Sequence, residues 1–144
     1  MSVPSVLFVC GRNAIRSPMA AALWRRHFGK AAQARSCGVI PAAFADGFMV
    51  AVMAELGCDL ENISPMALSG VTDPPAALVV SLSTAADRLA RQYAADKSAE
   101  FQAWPIADPS ETPGSREQRL AAYRQTRDAI NARIASWDLP PKSA

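Results

Sequence analysis

A cysteine and an arginine with five residues between them lie near the start of this 144-residue chain, in the segment Cys10-Gly11-Arg12-Asn13-Ala14-Ile15-Arg16. A cysteine thiolate is a strong nucleophile, and a guanidinium group can hold an oxyanion through paired hydrogen bonds. Five intervening residues allow the backbone to curl around an anion and return the arginine to it. The spacing therefore predicts attack by Cys10 on a tetrahedral oxyanion held by Arg16.

The elements on either side of this segment support that interpretation. The apolar run from Val6 to Val9 predicts a buried strand of a parallel sheet. Ser17 and Pro18 predict the start of a helix that runs to about Phe28, with Ser17 as its cap. A loop between such a strand and a helix N-terminus gathers N–H groups and positive potential around one point. The residues that we expect to bind phosphate are Gly11, Arg12, Asn13, Ala14, Ile15, Arg16 and Ser17.

Strands and helices alternate along the rest of the chain. Further strands are predicted at about 33–36, 77–82 and 101–106, and further helices at about 46–57, 84–95 and 115–137. Asp46 is the expected cap of the second helix, and Thr84 with Asp87 and Ser115 with Gln118 have the spacing of capping boxes. This alternation predicts an α/β fold, a three-layer sandwich in which helices flank a four-stranded parallel sheet.

Ligands of such sheets bind beyond the carboxyl ends of the strands. Asp108 follows the last predicted strand, so we expect it to share a crevice with Cys10. A carboxyl group placed there would protonate a leaving oxygen and then activate water. Asp-Pro also begins many turns, which is the competing reading of Asp108-Pro109. Asp73-Pro74 precedes a strand and should lie at the opposite edge of the sheet, where we interpret it as a turn.

Composition limits the class of protein. The chain is long enough for one domain, residues 1–144, with 50% hydrophobic and 19% charged residues. Its net charge of +2 is too small to indicate a nucleic acid partner. The sequence has no long apolar run and no signal pattern, so we expect no membrane association and a cytoplasmic location. Three cysteines without a C-x-x-C pair, and a single histidine, predict a reduced protein without a metal or another cofactor.

The segment Cys10–Pro18, preceded by Val-Leu-Phe-Val and followed by Met-Ala, resembles the signature of the low-molecular-weight protein tyrosine phosphatases. Thioredoxin-coupled arsenate reductases share that fold and loop. The segment Ser36-Cys37-Gly38 is similar to a Ser-Ala-Gly turn of the family, and Asp108-Pro109 matches its general-acid dipeptide. The resemblance covers most of the chain and implies a phosphocysteine intermediate on Cys10, with Arg16 as phosphate clamp and Asp108 as acid and then base.

The same resemblance implies supporting roles in the loop and exposes three departures from the family pattern. Asn13 matches the residue that holds the loop open through a strained backbone, and Ser17 is expected to stabilise the departing thiolate. Ile15 stands where many members have a second loop cysteine, so no disulfide within the loop is available. Arg12 replaces the usual glycine and either recruits acidic substrates or is solvated at the rim. Ser110 and Glu111 stand where many members carry tyrosines.

The function expected from these residues is hydrolysis of phosphotyrosine or another aryl phosphate, on a phosphorylated protein or a small molecule, by a monomer or weak dimer. The first alternative is arsenate reduction with an external thiol, because Ser81, Leu82, Ser83 and Thr84 supply none of the extra cysteines of the thioredoxin-coupled route. The second alternative is a binding module that holds an oxyanion without turnover. The combination of Cys10, Arg16 and Asp108 argues against that module.

Overall fold

The computed structural model of this chain describes residues 3–29 and 32–137. In chain order the elements are β1 Val6–Cys10, α1 Arg16–Phe28, β2 Ala34–Gly38, α2 Gly47–Ala54, β3 Leu78–Ser81, α3 Thr84–Asp96, β4 Glu100–Ala103 and α4 Arg116–Trp137. Short 3-10 helices occur at Leu68–Gly70 and Pro109–Glu111. Pro140 and Pro141, where the sequence predicts the end of ordered chain, lie outside the described residues. Among the described helices, none is long and apolar enough to span a membrane.

The four strands form one parallel sheet, as the sequence predicts, and their order in that sheet is β2-β1-β3-β4. All five residues of β1 are buried, which explains their continuous apolar pattern. After β1 the chain moves to one side to form β2 and later returns to the other side to form β3. This reversal opens a crevice beyond the carboxyl end of β1, the usual ligand site of such sheets.

The two faces of the sheet are covered by different helices. Val6, Phe8 and Cys10 pack in a large cluster with residues of α1, α2 and α4. The alternate β1 residues pack in a smaller cluster with Cys37 and with three alanines of α3. Because Cys10 pairs with Gly38 and not with Cys37 in the β1–β2 register, the thiols of Cys10 and Cys37 belong to opposite faces of the sheet.

Several strand boundaries differ from the prediction. β2 begins at Ala34 and includes Cys37 and Gly38, which were predicted only to end the strand after Ser36, because β2 pairs with β1 as far as Cys10. β4 ends at Ala103 and not at Ile106, because its partner β3 ends at Ser81, which pairs with Ala103.

Two of the predicted helix caps are confirmed. Asp46 Oδ1 accepts hydrogen bonds from the backbone N–H groups of Phe48 and Met49 at the start of α2. Ser115 and Gln118 form the reciprocal pair of a capping box at the start of α4. These caps fix the points at which the two helices leave the loops beside the crevice.

Two other predicted caps are wrong. Ser17 does not cap α1, because that helix begins at Arg16 after Ile15, and no side chain caps it. Ser83, not Thr84, caps α3 by accepting a hydrogen bond from the N–H of Ala86. Asp87 accepts its hydrogen bond from the hydroxyl of Ser81 at 2.6 Å, so it is not part of a capping box. In α3 the neighbouring hydroxyl of Ser83 was equally compatible with the local sequence, and in α1 the Ser17 hydroxyl contacts Cys10 and Asn13 instead of capping the helix.

Candidate active site

A crevice of about 490 Å³ opens beyond the carboxyl end of β1 and brings together Cys10, Arg16 and Asp108. Its full lining consists of Cys10, Arg12, Ala14, Ile15, Arg16, Ala42, Phe44, Asp46, Asp108, Ser110 and Glu111. The lining thus includes part of the loop that was expected to bind phosphate. The other residues of that loop, Gly11, Asn13 and Ser17, lie outside the lining and shape the loop through the contacts described below.

Cys10 lies at the floor of the crevice and is only 2% exposed. The backbone N–H of Asn13 donates a hydrogen bond to Cys10 Sγ at 3.2 Å, and Ser17 Oγ lies 3.0 Å from the same sulfur. Ser17 Oγ also accepts from Asn13 Nδ2 and lies 3.2 Å from the carbonyl oxygen of Cys37. A thiolate carries no proton, so the Ser17 hydroxyl must turn from Cys37 to donate to it. The thiolate then receives two hydrogen bonds.

Asn13 connects the loop to two other parts of the molecule. Its backbone has φ 54°, the left-handed conformation that asparagine tolerates better than most residues and that the sequence analysis anticipated. Its side chain donates to Ser17 at 2.7 Å and accepts from the backbone N–H of Met66 at 2.7 Å. Asn13 is itself 2% exposed. These contacts tie the loop to Ser17 and to the segment at Met66.

The segment 39–46 forms an outer wall that binds the carbonyl groups of the loop. Its backbone N–H groups donate to the carbonyl oxygens of Cys10, Gly11, Arg12 and Ala14 over 2.8–3.1 Å. These bonds keep the loop carbonyl dipoles occupied on the outer side, where they do not repel an anion in the crevice.

Gly38 allows the wall and the loop to approach each other closely. A Cβ atom at this position would lie 2.6 Å from the carbonyl carbon of Arg12 and 2.6 Å from the backbone nitrogen of Asn13. Both neighbours are backbone atoms, which cannot move aside as a flexible side chain can. The glycine of the Ser36-Cys37-Gly38 segment is therefore required by space and not by backbone conformation.

Arg16 and Asp108 face each other on one side of the crevice. Arg16 Nη1 donates to the carbonyl oxygen of Ile106 at 2.8 Å, and its Nη2 lies 4.0 Å from Asp108 Oδ2. Asp108 Oδ1 accepts from both the backbone N–H and the hydroxyl of Ser110. Asp108 Oδ2 receives neither of these bonds from Ser110 and faces the Arg16 guanidinium.

Asp46 is a second carboxylate in the crevice lining, and its position there was missed by the sequence analysis. Asp46 Oδ2 accepts a hydrogen bond from the phenol of Tyr123 at 2.9 Å, and its Oδ1 caps α2. Burial, and then the bond to Asp46, raise the pKa of Tyr123 well above its usual value. The Tyr123 hydroxyl therefore keeps its proton at neutral pH and donates it in the hydrogen bond to Asp46 Oδ2. The helix-cap signal found Asp46, but its contact with α4 spans too much sequence to be predicted.

Phe44 and Ala42 were also missed by the sequence analysis. Both lie on the outer wall and line the crevice, and Phe44 is 82% exposed. The only available signal was an aromatic residue in a loop that follows a strand end.

Among residues 3–29 and 32–137, no group of three or more histidine, cysteine or acidic side chains is arranged to hold a metal ion.

Comparisons with known proteins agree with this geometry. The chain is 30% identical over 139 residues to the arsenate reductase of Bacillus licheniformis, covering 93% of this chain and 94% of that one. It is 28% identical over 137 residues to the arsenate reductase of Halalkalibacterium halodurans, covering 95% and 96% respectively. The solved structure of the YwlE arginine phosphatase from Geobacillus stearothermophilus has the same fold, with a TM-score of 0.76, 23% identity and coverage of 94% and 90%.

The family comparison covers nearly the whole chain. Residues 5–139 match the model of the low molecular weight phosphotyrosine protein phosphatases. That range includes the loop after β1, the outer wall and the Asp108 turn. On the evidence of its sheet, its loop and this match, the chain belongs to the low molecular weight phosphotyrosine protein phosphatase family.

Proposed function

We propose that this protein is a phosphatase that hydrolyses aryl phosphate monoesters, phosphotyrosine among them, through a phosphocysteine on Cys10. The observation that carries the proposal is the placement of two groups in one crevice. Cys10 Sγ lies at the floor within reach of two hydrogen-bond donors, and Asp108 Oδ2 lies on the wall without a bond from Ser110. A nucleophile and a proton donor are the two groups that transfer of a phosphoryl group to an enzyme requires.

In the first step the Cys10 thiolate attacks phosphorus opposite the leaving oxygen. An S–P bond forms and the P–O bond to the aryl group breaks, while Asp108 Oδ2 gives its proton to the departing oxygen. Arg16 lines the same crevice and supplies a fixed positive charge for the phosphoryl oxygens. The products of this step are a neutral phenol and the phosphocysteine.

In the second step water attacks the phosphocysteine. Asp108, now a carboxylate, takes a proton from that water, and the S–P bond breaks to release inorganic phosphate. The leaving group is the Cys10 thiolate, which the N–H of Asn13 and the hydroxyl of Ser17 receive. The cycle ends with the thiolate and the protonated Asp108 restored, so it consumes only water and the phosphate ester.

Phe44 supports an aryl substrate in particular. Its ring is 82% exposed on the wall of the crevice, where it offers a flat apolar surface to the ring of a bound phenyl phosphate. Ser110 and Glu111, which also line the crevice, are polar. One aromatic wall therefore contacts the substrate ring in this chain.

The test is steady-state hydrolysis of para-nitrophenyl phosphate and phenyl phosphate. Cys10→Ser should abolish turnover of both esters. Asp108→Asn should lower kcat for phenyl phosphate by about 10²- to 10⁴-fold and for the nitrophenyl ester by much less, because nitrophenolate leaves without a proton. Asp73→Asn, in the other Asp-Pro pair, is the matched control and should behave as the wild type. Equal losses for both esters would remove Asp108 from the acid role, and a wild type without activity would refute the proposal.

The names of the curated relatives favour a second candidate, arsenate reduction. Reduction of arsenate needs two electrons from thiols after arsenate has bound to Cys10. Cys37 belongs to the opposite face of the sheet and Cys58 is outside the crevice lining, so a thiol from solution would have to supply them. Arsenite production that depends on an added low-molecular-weight thiol and on Cys10, without hydrolysis of aryl phosphates, would favour this candidate.

A further inference from the structure

Exposed apolar side chains are concentrated around the phosphate loop. Four large hydrophobic residues are exposed among the described residues, namely Ile40, Phe44, Met66 and Leu89. The backbone of Ile40 donates to Gly11, and the backbone of Met66 donates to the side chain of Asn13, so both belong to segments bonded to the loop. Phe44 lines the crevice itself. Three of the four therefore surround the proposed catalytic loop.

This apolar surface extends beyond what a small substrate would cover. Ile40 is 75% exposed and Met66 is 47% exposed, and neither lines the crevice that would hold a phenyl phosphate. Apolar side chains that are grouped at a site and exposed are typical of a surface that contacts a macromolecule. A protein segment that carries the phosphorylated residue would cover the crevice and its apolar surroundings together.

Arg12 adds a positive charge to this rim. Its side chain is exposed and lines the crevice, and within residues 3–29 and 32–137 no carboxylate lies within ion-pair distance of it. Its backbone is fixed, because the carbonyl of Arg12 accepts from Ala42 at 2.8 Å and Gly38 packs behind it. Arg16, the other cation of the crevice, is already bonded to Ile106. Arg12 is thus anchored at its base and open to a ligand at its tip.

We propose that the substrate is a phosphorylated protein segment with an aspartate or glutamate beside the phosphorylated residue, and that Arg12 binds that carboxylate. The inference rests on the proposed phosphatase function and names its substrate class. Glu111 lies in the lining of the same crevice and is exposed. Because Glu111 repels acidic groups, an acidic residue is favoured only on a flank of the phosphorylated residue that lies nearer to Arg12 than to Glu111.

The experiment compares three phosphotyrosine peptides, with aspartate immediately before the phosphotyrosine, immediately after it, or in neither place. For the wild type, kcat/KM for one of the two acidic peptides should exceed that for the neutral peptide by about 2- to 5-fold, the range of an exposed ion pair. The preference should weaken as the salt concentration rises. Arg12→Gln should remove the preference and Arg12→Lys should keep most of it. Arg88→Gln removes one positive charge, as Arg12→Gln does, but on α3, which covers the face of the sheet opposite to α1. This control variant should keep the full preference for the acidic peptide.

The ratio of acidic to neutral peptide separates this inference from the proposed function. Any general effect of Arg12 on phosphate binding cancels in the ratio, and para-nitrophenyl phosphate reports catalysis by itself. Turnover with equal rates on all three peptides, or a preference that survives in Arg12→Gln, would overturn the inference and leave the phosphatase intact. If the wild type hydrolyses no ester, the proposed function fails. The inference about Arg12 is then tested by the binding affinities of Cys10→Ser for the three peptides. Unequal affinities that Arg12→Gln equalises would support the inference, and equal or undetectable ones would overturn it.

Discussion

Replacing Gly38 by alanine should damage the phosphate loop from behind, while every side chain that lines the crevice stays unchanged. The new Cβ would lie 2.6 Å from backbone atoms of Arg12 and Asn13, whereas ordinary contacts begin at 3.4 Å. The loop must therefore retreat by about 0.8 Å, a shift comparable with the hydrogen-bond tolerances of the site. Asn13 N–H donates to Cys10 Sγ at 3.2 Å, so this donor moves with the loop.

The expected cost follows from that displacement. A misplacement of about 1 Å at a reacting group lowers rates by up to about 10²-fold, so kcat/KM for para-nitrophenyl phosphate should fall by about 10- to 10²-fold. Overpacking costs about 1–3 kcal/mol of unfolding free energy, which corresponds to a decrease in Tm of roughly 3–10 °C for a chain of this length. Both losses arise from the same contact and should appear together.

The assay is steady-state hydrolysis with a thermal melt on the same preparation, recorded with and without inorganic phosphate. Gly70→Ala is the matched control, because a Cβ at Gly70 meets nothing within 4 Å. The control should keep wild-type activity, and phosphate should raise its Tm as it does for the wild type. Phosphate should stabilise Gly38→Ala much less. A Gly38→Ala variant as active and as stable as Gly70→Ala would refute the reasoning that this glycine sets the position of the loop.

Three further predictions concern single side chains. Ser17→Ala removes a hydroxyl donor to the departing thiolate, so kcat for aryl phosphates should fall by about 10- to 100-fold, and an unchanged kcat would exclude that role. Burial raises the pKa of Cys37 to about 12. Peptide mapping after iodoacetamide treatment near neutral pH should therefore find Cys37 unmodified in the native protein and modified in urea. Equal labelling in the two conditions would contradict the burial of Cys37. Hydrogen bonds from Arg124 and Arg127 lower the pKa of Glu55 to about 2. Because the folded-state pKa is depressed, the stabilisation is present above the unfolded-state pKa and is lost as pH falls toward 2. The difference in Tm between the wild type and Glu55→Gln should therefore narrow with acidification, and a constant difference would contradict the assignment.

The parts of the fold that the sequence predicts are those with a strong local signal. β1 is an unbroken apolar run because both of its faces are buried, and Asp46 and Gln118 lie at cap positions within a few residues of their partners. The Cys10 to Arg16 spacing is equally local. The prediction of a four-stranded parallel sheet follows from the alternation of such segments, and the order β2-β1-β3-β4 confirms it.

The parts that the sequence analysis missed depend on contacts between distant residues. The bond between Tyr123 and Asp46 joins positions 77 residues apart, and the bond between Asn13 and Met66 joins positions 53 apart. Ser17 shows the same limit more sharply. Its position before Pro18 is typical of a helix cap, yet its hydroxyl is taken by Cys10 and Asn13, which are brought to it by the turn of the loop. Local sequence preferences could not decide whether this hydroxyl group caps the helix or contacts Cys10 and Asn13.

The arrangement of thiols bears on the choice between hydrolysis and reduction. All three cysteines of the sequence lie among the described residues, and Cys10 is the one that lines the crevice. The pleat of β2 assigns Cys37 to the opposite face of the sheet, where burial keeps its thiol protonated. After an oxyanion has bound to Cys10, reduction would therefore wait for a thiol to enter from solution. Hydrolysis needs only water and a carboxyl group, and Asp108 already lies on the wall of that crevice. Cys10, Arg16 and Asp108 would supply the groups of the proposed hydrolytic cycle without a second thiol, which is the chemical reason to favour the phosphatase.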